Sequence, residues 1–560
     1  MSIKVRNRLL TAYSFILVAF SFAMILRFFP HIALPNDEVT LRNIASGIYT
    51  GTPDAHLIYI MYPLGLILKW LYTAAPGVEW FSVSLLGFYG FALAIMTVSI
   101  GRIKECDSLI NSIFAETVCV IFLFALNMNH IQTLQYTVVA GVLVATGIFL
   151  IVTEGNKIVL TLCLVLGLWL RAPVFWMAVP FLLLGVIYRI YKKTYPVEVL
   201  AVVLILIFSY VVDYFAYSDM EWQQFNDYND ARTAVCDYYG FPEWDYGEEI
   251  FSELGYTEET VEVLKSYNFA LDDRIGAKEL HEIGVLKKEF DQQWHNYYYF
   301  RNLLKRALLC VFASGIQPLG ILIIVAFGFL FYRSIRGKRL FSVLLGLSIP
   351  IYYFAFVLLF LYLNRLPERV LFGFMLITFA FTVGMIMEES CKEKQGILGK
   401  RVLRVVAISS AILSVSFGIF SVGDAMRLDK INEEGIAKWQ NISDYLSEHE
   451  ENLYYIDTAL MASSLEHVWG AANAEPRNLV RLGIWTMGGP LYEQRLEYTG
   501  VQGPVYHGLV ESDSFYMQEY YKQTEWLEEY LKNRDIPVDA VLVDTLPASD
   551  DGVINIYTFE

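Results

Sequence analysis

Residues 9–29, LLTAYSFILVAFSFAMILRFF, decide the fold of this chain. This apolar run covers about 20 residues, and a helix of that length spans the roughly 30 Å hydrocarbon core of a bilayer. No small-residue cleavage site follows it. We therefore predict a first transmembrane helix that is retained, and not a secretory signal peptide.

The composition extends this prediction to most of the chain. Of the 560 residues, 56% are hydrophobic and 15% aromatic, and the mean hydropathy is +0.43. Long apolar blocks with aromatic residues near their ends are typical of membrane proteins. A net charge of −16 argues against nucleic acid as a partner. The six cysteines form no CxxC pair, so no zinc or redox site is indicated.

The apolar blocks predict an all-α polytopic membrane protein with about eleven transmembrane helices and additional juxtamembrane helices. The predicted spans are 9–30, 79–101, 108–126, 133–152, 157–170, 173–188, 197–217, 307–332, 340–362, 369–387 and 402–421. Residues 56–72 are a further apolar segment, which we predict to lie at the outer interface, since Lys69, Trp70 and Tyr72 suit an interfacial helix. The alternative, an ordinary span, would invert every later loop.

The cations of alternate loops predict the orientation. Cytoplasmic loops of membrane proteins carry an excess of Lys and Arg. The cations that fall in one set of loops are Lys4, Arg6, Arg8, Arg102, Lys104, Lys157, Arg189, Lys192, Lys193, Arg333, Arg336, Lys338, Arg339, Lys392, Lys394, Lys400, Arg401 and Arg404. We therefore predict a multi-pass protein of the plasma membrane with a cytoplasmic N-terminus and an extracytoplasmic C-terminal domain.

Two domains are predicted. Residues 1–425 form the transmembrane domain, which includes an outer loop at 31–78 and an outer helical loop at 218–301. Residues 426–560 form a small extracytoplasmic α/β domain. In that domain 453–456 and 540–543 are expected to be short buried strands, 513–533 an amphipathic helix capped by Asp513 or Ser514, and 554–559 a final strand.

The most informative local motif is Pro35-Asn36-Asp37-Glu38, directly after the first span. Two adjacent carboxylates precede a helix-like stretch, 39–46, that Gly47 closes. One interpretation is a helix cap, because acids at a helix N-terminus are stabilised by about 0.3–1 kcal/mol. The functional interpretation is a general base at the membrane surface that takes a proton from an acceptor hydroxyl.

The order of these segments resembles the GT-C superfamily of integral-membrane glycosyltransferases. There a first span leads to an outer loop that starts with an acidic residue or pair, and juxtamembrane helices follow. The stretch Asp37-Glu38-Val-Thr-Leu-Arg-Asn-Ile-Ala-Ser-Gly47 is similar to that pattern. The resemblance implies a GT-C-like fold and transfer of a hexose or pentose, with inversion, from a polyprenyl-phosphate donor to an envelope glycan, lipid or protein. It makes Asp37 and Glu38 the catalytic candidates.

Further candidates lie at predicted outer ends of spans. Arg171, Arg365 and Arg369 either anchor the chain at the interface, with Glu368 as a partner, or clamp the donor phosphate, which guanidinium geometry suits. In the GT-C family, cationic residues at such positions are thought to hold the lipid phosphate. Thr52 and Asp54 either cap the next helix or, with His56, contact the substrate. Asp37, Asp54 and His56 are also compatible with a divalent metal ion.

A second likeness concerns the 218–301 segment. It resembles uncharacterised bacterial envelope proteins in Trp222, Phe225, Tyr228, Asn229, Ala231, Arg232, Asp237, Tyr238, Phe241 and Pro242. That likeness implies a lineage but no activity. One interpretation is that the segment closes over the site, with Trp222, Tyr228, Trp244 and Tyr246 stacking on sugar faces. The same aromatic density is equally expected of a domain packed on the membrane surface.

The sequence is also compatible with three other functions. They are a non-catalytic glycan or lipid transporter, a polysaccharide polymerase, and a scaffold that presents the tail domain. A transporter is expected to carry polar groups at mid-membrane and broken helices. Few such groups are present: Asn127 and Thr146 are weak candidates, and Asp213 lies near an outer end. No P-loop, dinucleotide fingerprint or nucleophile elbow is present. Soluble nucleotide-sugar or ATP use is therefore not indicated.

Overall fold

The computed structural model describes residues 3–29, 31–33, 37–101, 109–313, 317–337, 339–390, 397–469, 475–519, 524–548 and 552–560. Several predicted features, namely Pro35, Asn36, Arg102, Lys104, Lys338, Lys392 and Lys394, lie outside these ranges. The first part of the chain contains α1 (Ile3–Phe28), β1 (Ile32–Ala33), α2 (Glu38–Ser46), α3 (Tyr62–Ala74), α4 (Trp80–Gly101), α5 (Leu109–Gln132), β2 (Thr133–Leu134), α6 (Tyr136–Val152), α7 (Lys157–Leu170), α8 (Ala172–Tyr191) and α9 (Glu198–Ala216).

The 218–301 segment folds into helices and leads back to the membrane region. It contains α10 (Met220–Thr233), a π-helix (Ala234–Tyr239), α11 (Trp244–Glu253), α12 (Glu258–Lys265), a 3₁₀ turn (Phe269–Leu271) and α13 (Ala277–Gln292). The next helices are α14 (Tyr297–Leu309), α15 (Gln317–Arg336), α16 (Leu340–Tyr362), α17 (Glu368–Ser390) and α18 (Ile397–Glu448). The span predicted at 307–332 therefore begins later, because α14 ends at Leu309 and a second 3₁₀ turn, Cys310–Phe312, intervenes.

Nine helices of the described chain are long and apolar enough to cross a membrane, which confirms a polytopic α-helical membrane protein. They are α1, α4, α5, α8, α9, α15, α16, α17 and α18. Two further predicted spans correspond to shorter apolar helices, α6 with 17 residues and α7 with 14. α9 carries an exposed apolar stripe that includes Leu200, Leu204 and Phe208, as expected for a helix in contact with lipid.

Helix α6 is the centre of the bundle, and every one of its residues is buried. It packs closely on α17 because both helices carry glycine at the contact: a Cβ placed on Gly141 would lie 3.0 Å from the Cα of Gly373. Small residues let helix backbones approach in membrane bundles, where lipid supplies little hydrophobic driving force between helices. The N-terminus of α6, at Tyr136, is thereby fixed beside the first turn of α17.

Segment 56–72 is helical only from Tyr62 onward. The 13 residues of α3 extend for about 20 Å, which is short of the bilayer core. Leu64, Leu68 and Tyr72 are buried, whereas Leu66, Ile67 and Trp70 are exposed. An amphipathic helix of this length suits the interface, and its location outside the bilayer core remains a prediction.

The C-terminal region is a mixed α/β unit, as predicted. Its elements are β3 (Leu453–Ile456), α19 (Thr458–Ser463), β4 (Glu466–His467), β5 (Leu479–Arg481), α20 (Pro490–Thr499), α21 (Val505–Gly508), β6 (Ser514–Glu519), α22 (Glu525–Lys532), β7 (Ala540–Pro547) and β8 (Val553–Phe559). Five strands form one sheet in the order β5-β3-β6-β8-β7. β3 pairs in parallel with β5 and β6, and the remaining pairs are antiparallel.

Two details of this unit differ from the sequence prediction. Residues 514–519 form a central strand and not the start of a helix, so the helix predicted at 513–533 is limited to α22 and neither Asp513 nor Ser514 caps it. The strand predicted at 540–543 exists, but it lies at the sheet edge, with Leu542 52% exposed. An apolar run alone does not distinguish a buried strand from an edge strand.

The C-terminal unit is fixed to the membrane region by a small sheet and by a buried charge cluster that includes Arg42 and Glu466. Strand β1 pairs with both β2 and β4. Arg42 of α2 forms a fully buried ion pair with Glu466 of β4. The C-terminal unit also shares a hydrophobic core with the 218–301 segment, in which Tyr228 and Val235 pack with Tyr455 and Leu527. The two regions therefore lie on the same side of the membrane bundle. The predicted domain boundary at 425/426 falls within α18.

Candidate functional site

A cavity of about 630 Å³ lies where the membrane helices, the 218–301 segment and the C-terminal unit meet. Ligand pockets in proteins commonly have volumes of roughly 300–1,000 Å³. Four predicted site residues line this cavity together: Asp37, Arg171, Arg365 and Arg369. The sequence placed them in three separate loops, so their convergence is a property of the fold.

Asp37 supplies a buried carboxylate to the cavity. It occupies the N-cap position of α2, as the helix-cap interpretation expects, although its side chain makes no capping hydrogen bond. Its carboxylate instead accepts a hydrogen bond of 3.3 Å from the hydroxyl of Tyr136. Burial raises the pKa of Asp37, and the nearby positive charges of Arg369 and Arg171 act against that rise. A raised carboxyl pKa brings a general base closer to neutral pH.

Glu38 is not among the residues that line the cavity. The side chain is buried, and its carboxyl accepts hydrogen bonds from the backbone N–H groups of Glu38 itself and of Tyr136. It therefore joins the N-termini of α2 and α6. Burial and the adjacent charge of Asp37 raise the pKa of Glu38 to about 8. Its two backbone hydrogen bonds and its position outside the cavity lining suit positioning better than proton abstraction.

Arg171 lies where α7 ends and α8 begins. Its backbone is extended, with φ −157° and ψ 95°, so the chain turns here. The guanidinium lies 5.0 Å from the ring centre of Tyr59 and 5.6 Å from that of Tyr136. Contact with two rings holds the planar cation in place at the cavity wall, where it is suited to bind an anion.

Arg365 and Arg369 flank the start of α17. Arg365 forms an ion pair of 2.6 Å with Asp237 and lies 4.8 Å from the ring centre of Tyr238. Its partner is thus an acid of the π-helix and not the predicted Glu368. Arg369 has no carboxylate within 4 Å among the described residues, although its charge lowers the pKa of Asp37. Of the two cations, Arg365 is therefore the one already engaged in an ion pair.

Sequence reasoning missed three charged residues of the cavity. Arg232, Asp237 and Arg481 also line it, so the lining contains five guanidinium groups and two carboxylates. In the sequence, Arg232 and Asp237 stand out only through the likeness to uncharacterised envelope proteins, which implies no activity. They flank or belong to the π-helix, and π-helices frequently occur at functional sites. Arg481 lies on β5, 2.8 Å from Glu475, and connects the cavity to the buried charge cluster.

The cavity is also located at several helix N-termini. Thr137 is in the first turn of α6, Val174 in the first turn of α8 and Arg369 in the first turn of α17, and all three line the cavity. Free N–H groups and the helix dipole make each such end favourable to an anion. Their convergence reinforces the excess of arginine. The cavity therefore favours an anion, such as a phosphate group.

Unusual backbone conformations cluster at the same place. Ile58, directly before Tyr59, has φ 51°, and Tyr267 in the cavity wall has φ 61°. Asn364, directly before Arg365, has φ 55°. The left-handed region is unfavourable for non-glycine residues, particularly β-branched ones, and such strain is commonly retained at functional sites.

Asp54 and His56 do not line this cavity. The His56 Nδ1 lies 2.6 Å from an oxygen of Asp54, and its ring stacks on Trp222 at 4.8 Å. Thr52 and Asp54 do not cap α3, which begins at Tyr62 with Met61 as its N-cap. Asp37 is not brought together with Asp54 and His56, and the described residues hold no group of three side chains that could bind a metal ion.

The four rings expected to stack on sugars also lie elsewhere. Trp222 and Tyr228 are buried in hydrophobic cores, Trp244 stacks on Phe251 at 5.7 Å, and Tyr246 packs on Phe290. In their place the cavity presents the rings of Tyr59 and Trp485, whose centres are 4.9 Å apart.

Comparison with known proteins finds no matching protein family, no matching curated protein and no matching solved structure.

Proposed function

We propose that this protein is a membrane glycosyltransferase that uses a polyprenyl-phosphate-linked sugar. The observation that carries the proposal is the meeting of Asp37 with Arg171, Arg365 and Arg369 in one cavity at the ends of membrane helices. This arrangement combines a cationic site for phosphate with a carboxylate of raised pKa. The proposal extends the resemblance of the first loop to GT-C glycosyltransferases.

The phosphate of the donor occupies the arginine-lined part of the cavity. A sugar phosphodiester carries one negative charge, and the polyprenyl phosphate that leaves carries about two near neutral pH. Arginines and helix N-termini that stabilise the additional charge lower the barrier to transfer. Apolar side chains in the same wall, including Met177, Phe360 and Val370, offer a path for the lipid chain toward the bilayer.

In the proposed reaction the acceptor hydroxyl oxygen attacks the anomeric carbon of the donor sugar. The bond between that carbon and the phosphate oxygen breaks, and its electron pair leaves with polyprenyl phosphate. The hydroxyl proton passes to Asp37. Such assistance by a general base contributes about 10²–10⁴-fold to a rate. Tyr136, which donates a hydrogen bond to Asp37, orients the carboxylate.

The partners follow from this chemistry. The donor is a polyprenyl-phosphate sugar, and the acceptor is an envelope glycan, lipid or protein. Membrane lipids are further partners, as expected from the nine apolar helices in the described part of the chain. On the predicted orientation, the cavity faces the outer side of the plasma membrane. A divalent metal ion is compatible with the chemistry, but the proposed steps do not require one.

The polar groups that would favour a transporter have partners of their own. Asn127 accepts a hydrogen bond of 2.8 Å from Tyr89 and donates one to the carbonyl of Leu123. Asp213 accepts a bond of 2.9 Å from the backbone N–H of Tyr62. These groups act in helix contacts, which supports the enzyme over the transporter.

The proposal is tested by capturing the donor. The full chain is purified from native membranes in mild detergent, and the bound lipids are identified by mass spectrometry. A polyprenyl-phosphate sugar is expected with the wild-type protein and is expected to be lost from Arg171→Gln. Arg427→Gln, which changes an exposed arginine outside the cavity, is the matched control and should retain the lipid. Capture of only bulk phospholipid by all three proteins would contradict the proposal.

A further inference from the structure

A second cavity of about 380 Å³ adjoins the first. Its wall is formed by the π-helix, the end of α13, the turn before α14 and Asn364. Asp237 and Tyr238 line both cavities, so one short wall separates the two spaces. A ligand in the second cavity would lie next to a ligand held by the arginines of the first.

Aromatic rings dominate the lining of this second cavity. Tyr239, Trp294, His295 and Tyr299 face it together with the shared Tyr238. The rings of His295 and Tyr299 stack at 4.3 Å, whereas the Trp294 side chain is 62% exposed. Aromatic faces combined with a few polar groups are suited to a ligand that has both C–H faces and hydroxyl groups.

The charges of the second cavity differ from those of the first. No arginine is among the described residues that line it, and its lysine, Lys287, forms an ion pair with Asp291 one helical turn away. The shared Asp237 is paired with Arg365. The lysine and both aspartates of this cavity are thus paired, so it offers no excess of positive charge for a phosphate. A neutral polyhydroxylated ligand fits it better than an anion.

Two polar residues of the second cavity, Tyr299 and Asn364, have features that the fold alone does not explain. The hydroxyl of Tyr299 is buried and has no hydrogen-bond partner among the described residues. Buried polar groups normally have partners, so such a group calls for a ligand or water. Asn364 is held in the left-handed region with φ 55°, which presents its side chain at the cavity.

We propose that the second cavity binds a carbohydrate, the acceptor glycan of the transfer reaction. The identification of this carbohydrate as the acceptor rests on the proposed function, whereas saccharide binding by the cavity does not. A sugar ring stacks on Trp294, and one of its hydroxyl groups accepts or donates a hydrogen bond at Tyr299. The glycan then extends past Tyr238 toward Asp37, where its terminal hydroxyl meets the donor.

The test measures binding of neutral oligosaccharides that end in hexose or N-acetylhexosamine to the full chain in nanodiscs. Trp294→Ala should weaken binding about tenfold or more, as expected for loss of a central aromatic contact. Tyr299→Phe should weaken it about three- to tenfold without lowering the melting temperature, because the lost hydroxyl has no protein partner among the described residues. Trp70→Ala and Tyr298→Phe alter exposed rings outside the cavity and are the matched controls.

Two further binding measurements distinguish the possible outcomes. The same sugars on a lipid anchor in vesicles show whether the glycan is free or lipid-linked. Binding of farnesyl phosphate reports on the first cavity. If farnesyl phosphate fails to bind but saccharide binding depends on Trp294 and Tyr299, the inference stands and the proposed function fails. If no saccharide of the panel binds, or if the controls weaken binding as much as the cavity variants, the inference is overturned.

Discussion

Replacement of Arg369 by glutamine should weaken donor binding more than the same change at Arg365. Both side chains line the cavity, but only Arg365 is already engaged, in its 2.6 Å ion pair with Asp237. A phosphate must displace or share that partner, which reduces the net contribution of Arg365. Arg369 has no carboxylate within 4 Å in the described part of the chain, so its charge is available to the ligand.

The expected magnitude follows from the bonds that are lost. A hydrogen bond to a charged group contributes about 1.5–3 kcal/mol, which corresponds to roughly ten- to a hundredfold in the dissociation constant. We expect that loss for Arg369→Gln and at most about tenfold for Arg365→Gln. Loss of the partly exposed ion pair with Asp237 should cost at most about 1 kcal/mol of stability. Both variants should therefore fold.

The assay is binding of farnesyl phosphate and of the captured donor lipid to the full chain in nanodiscs, with melting temperature as the control for folding. Arg369→Gln has a second readout. Because Arg369 lowers the pKa of Asp37, its removal should raise that pKa further. Activity that requires ionised Asp37 should then be lost at a higher pH as the solution is acidified. Unchanged binding by a folded Arg369→Gln, or a larger effect at Arg365, would refute the reasoning.

Three further predictions concern topology and assembly. Single cysteines in the 333–339 loop and in the C-terminal unit should differ in their access to an impermeant reagent on intact cells, and equal access would exclude the predicted orientation. Cysteines at the exposed positions 52 and 73, which flank the segment, should be labelled from the same side, and labelling from opposite sides would make 56–72 a span. Glu466→Ala should destabilise docking of the C-terminal unit by about 3–5 kcal/mol, because it leaves Arg42 buried and unpaired. Unchanged proteolysis of the unit would contradict this role for the ion pair.

The membrane architecture was predictable because each long apolar run is a local signal. Residues 9–29 alone indicate a span, and α1 covers them up to Phe28. Asp37 was also predictable, since an acid pair directly after the first span stands out in sequence. Arg171, Arg365 and Arg369 were identified by their positions at the ends of spans. These inferences required only neighbours in the chain.

The remaining cavity residues could not be predicted because tertiary contacts bring them to the site. Arg481 comes from a strand of the C-terminal unit, and Arg232 and Asp237 come from the 218–301 segment. Their convergence depends on the core shared by these two regions. The same limit explains the error at 514–519, where burial between β3 and β8 favours a strand over the helix that the pattern suggested.

The central claim is that Asp37 removes the proton of the acceptor hydroxyl. The most direct test is sugar transfer from the captured donor to native envelope acceptors by Asp37→Asn, which keeps the side-chain shape and removes the charge. Glu38→Gln is the matched control, because it resembles the protonated carboxyl expected for a group whose pKa is about 8. We predict that Asp37→Asn binds donor normally but transfers at least about a hundredfold more slowly, while Glu38→Gln loses less. Near-normal transfer by Asp37→Asn would contradict the account.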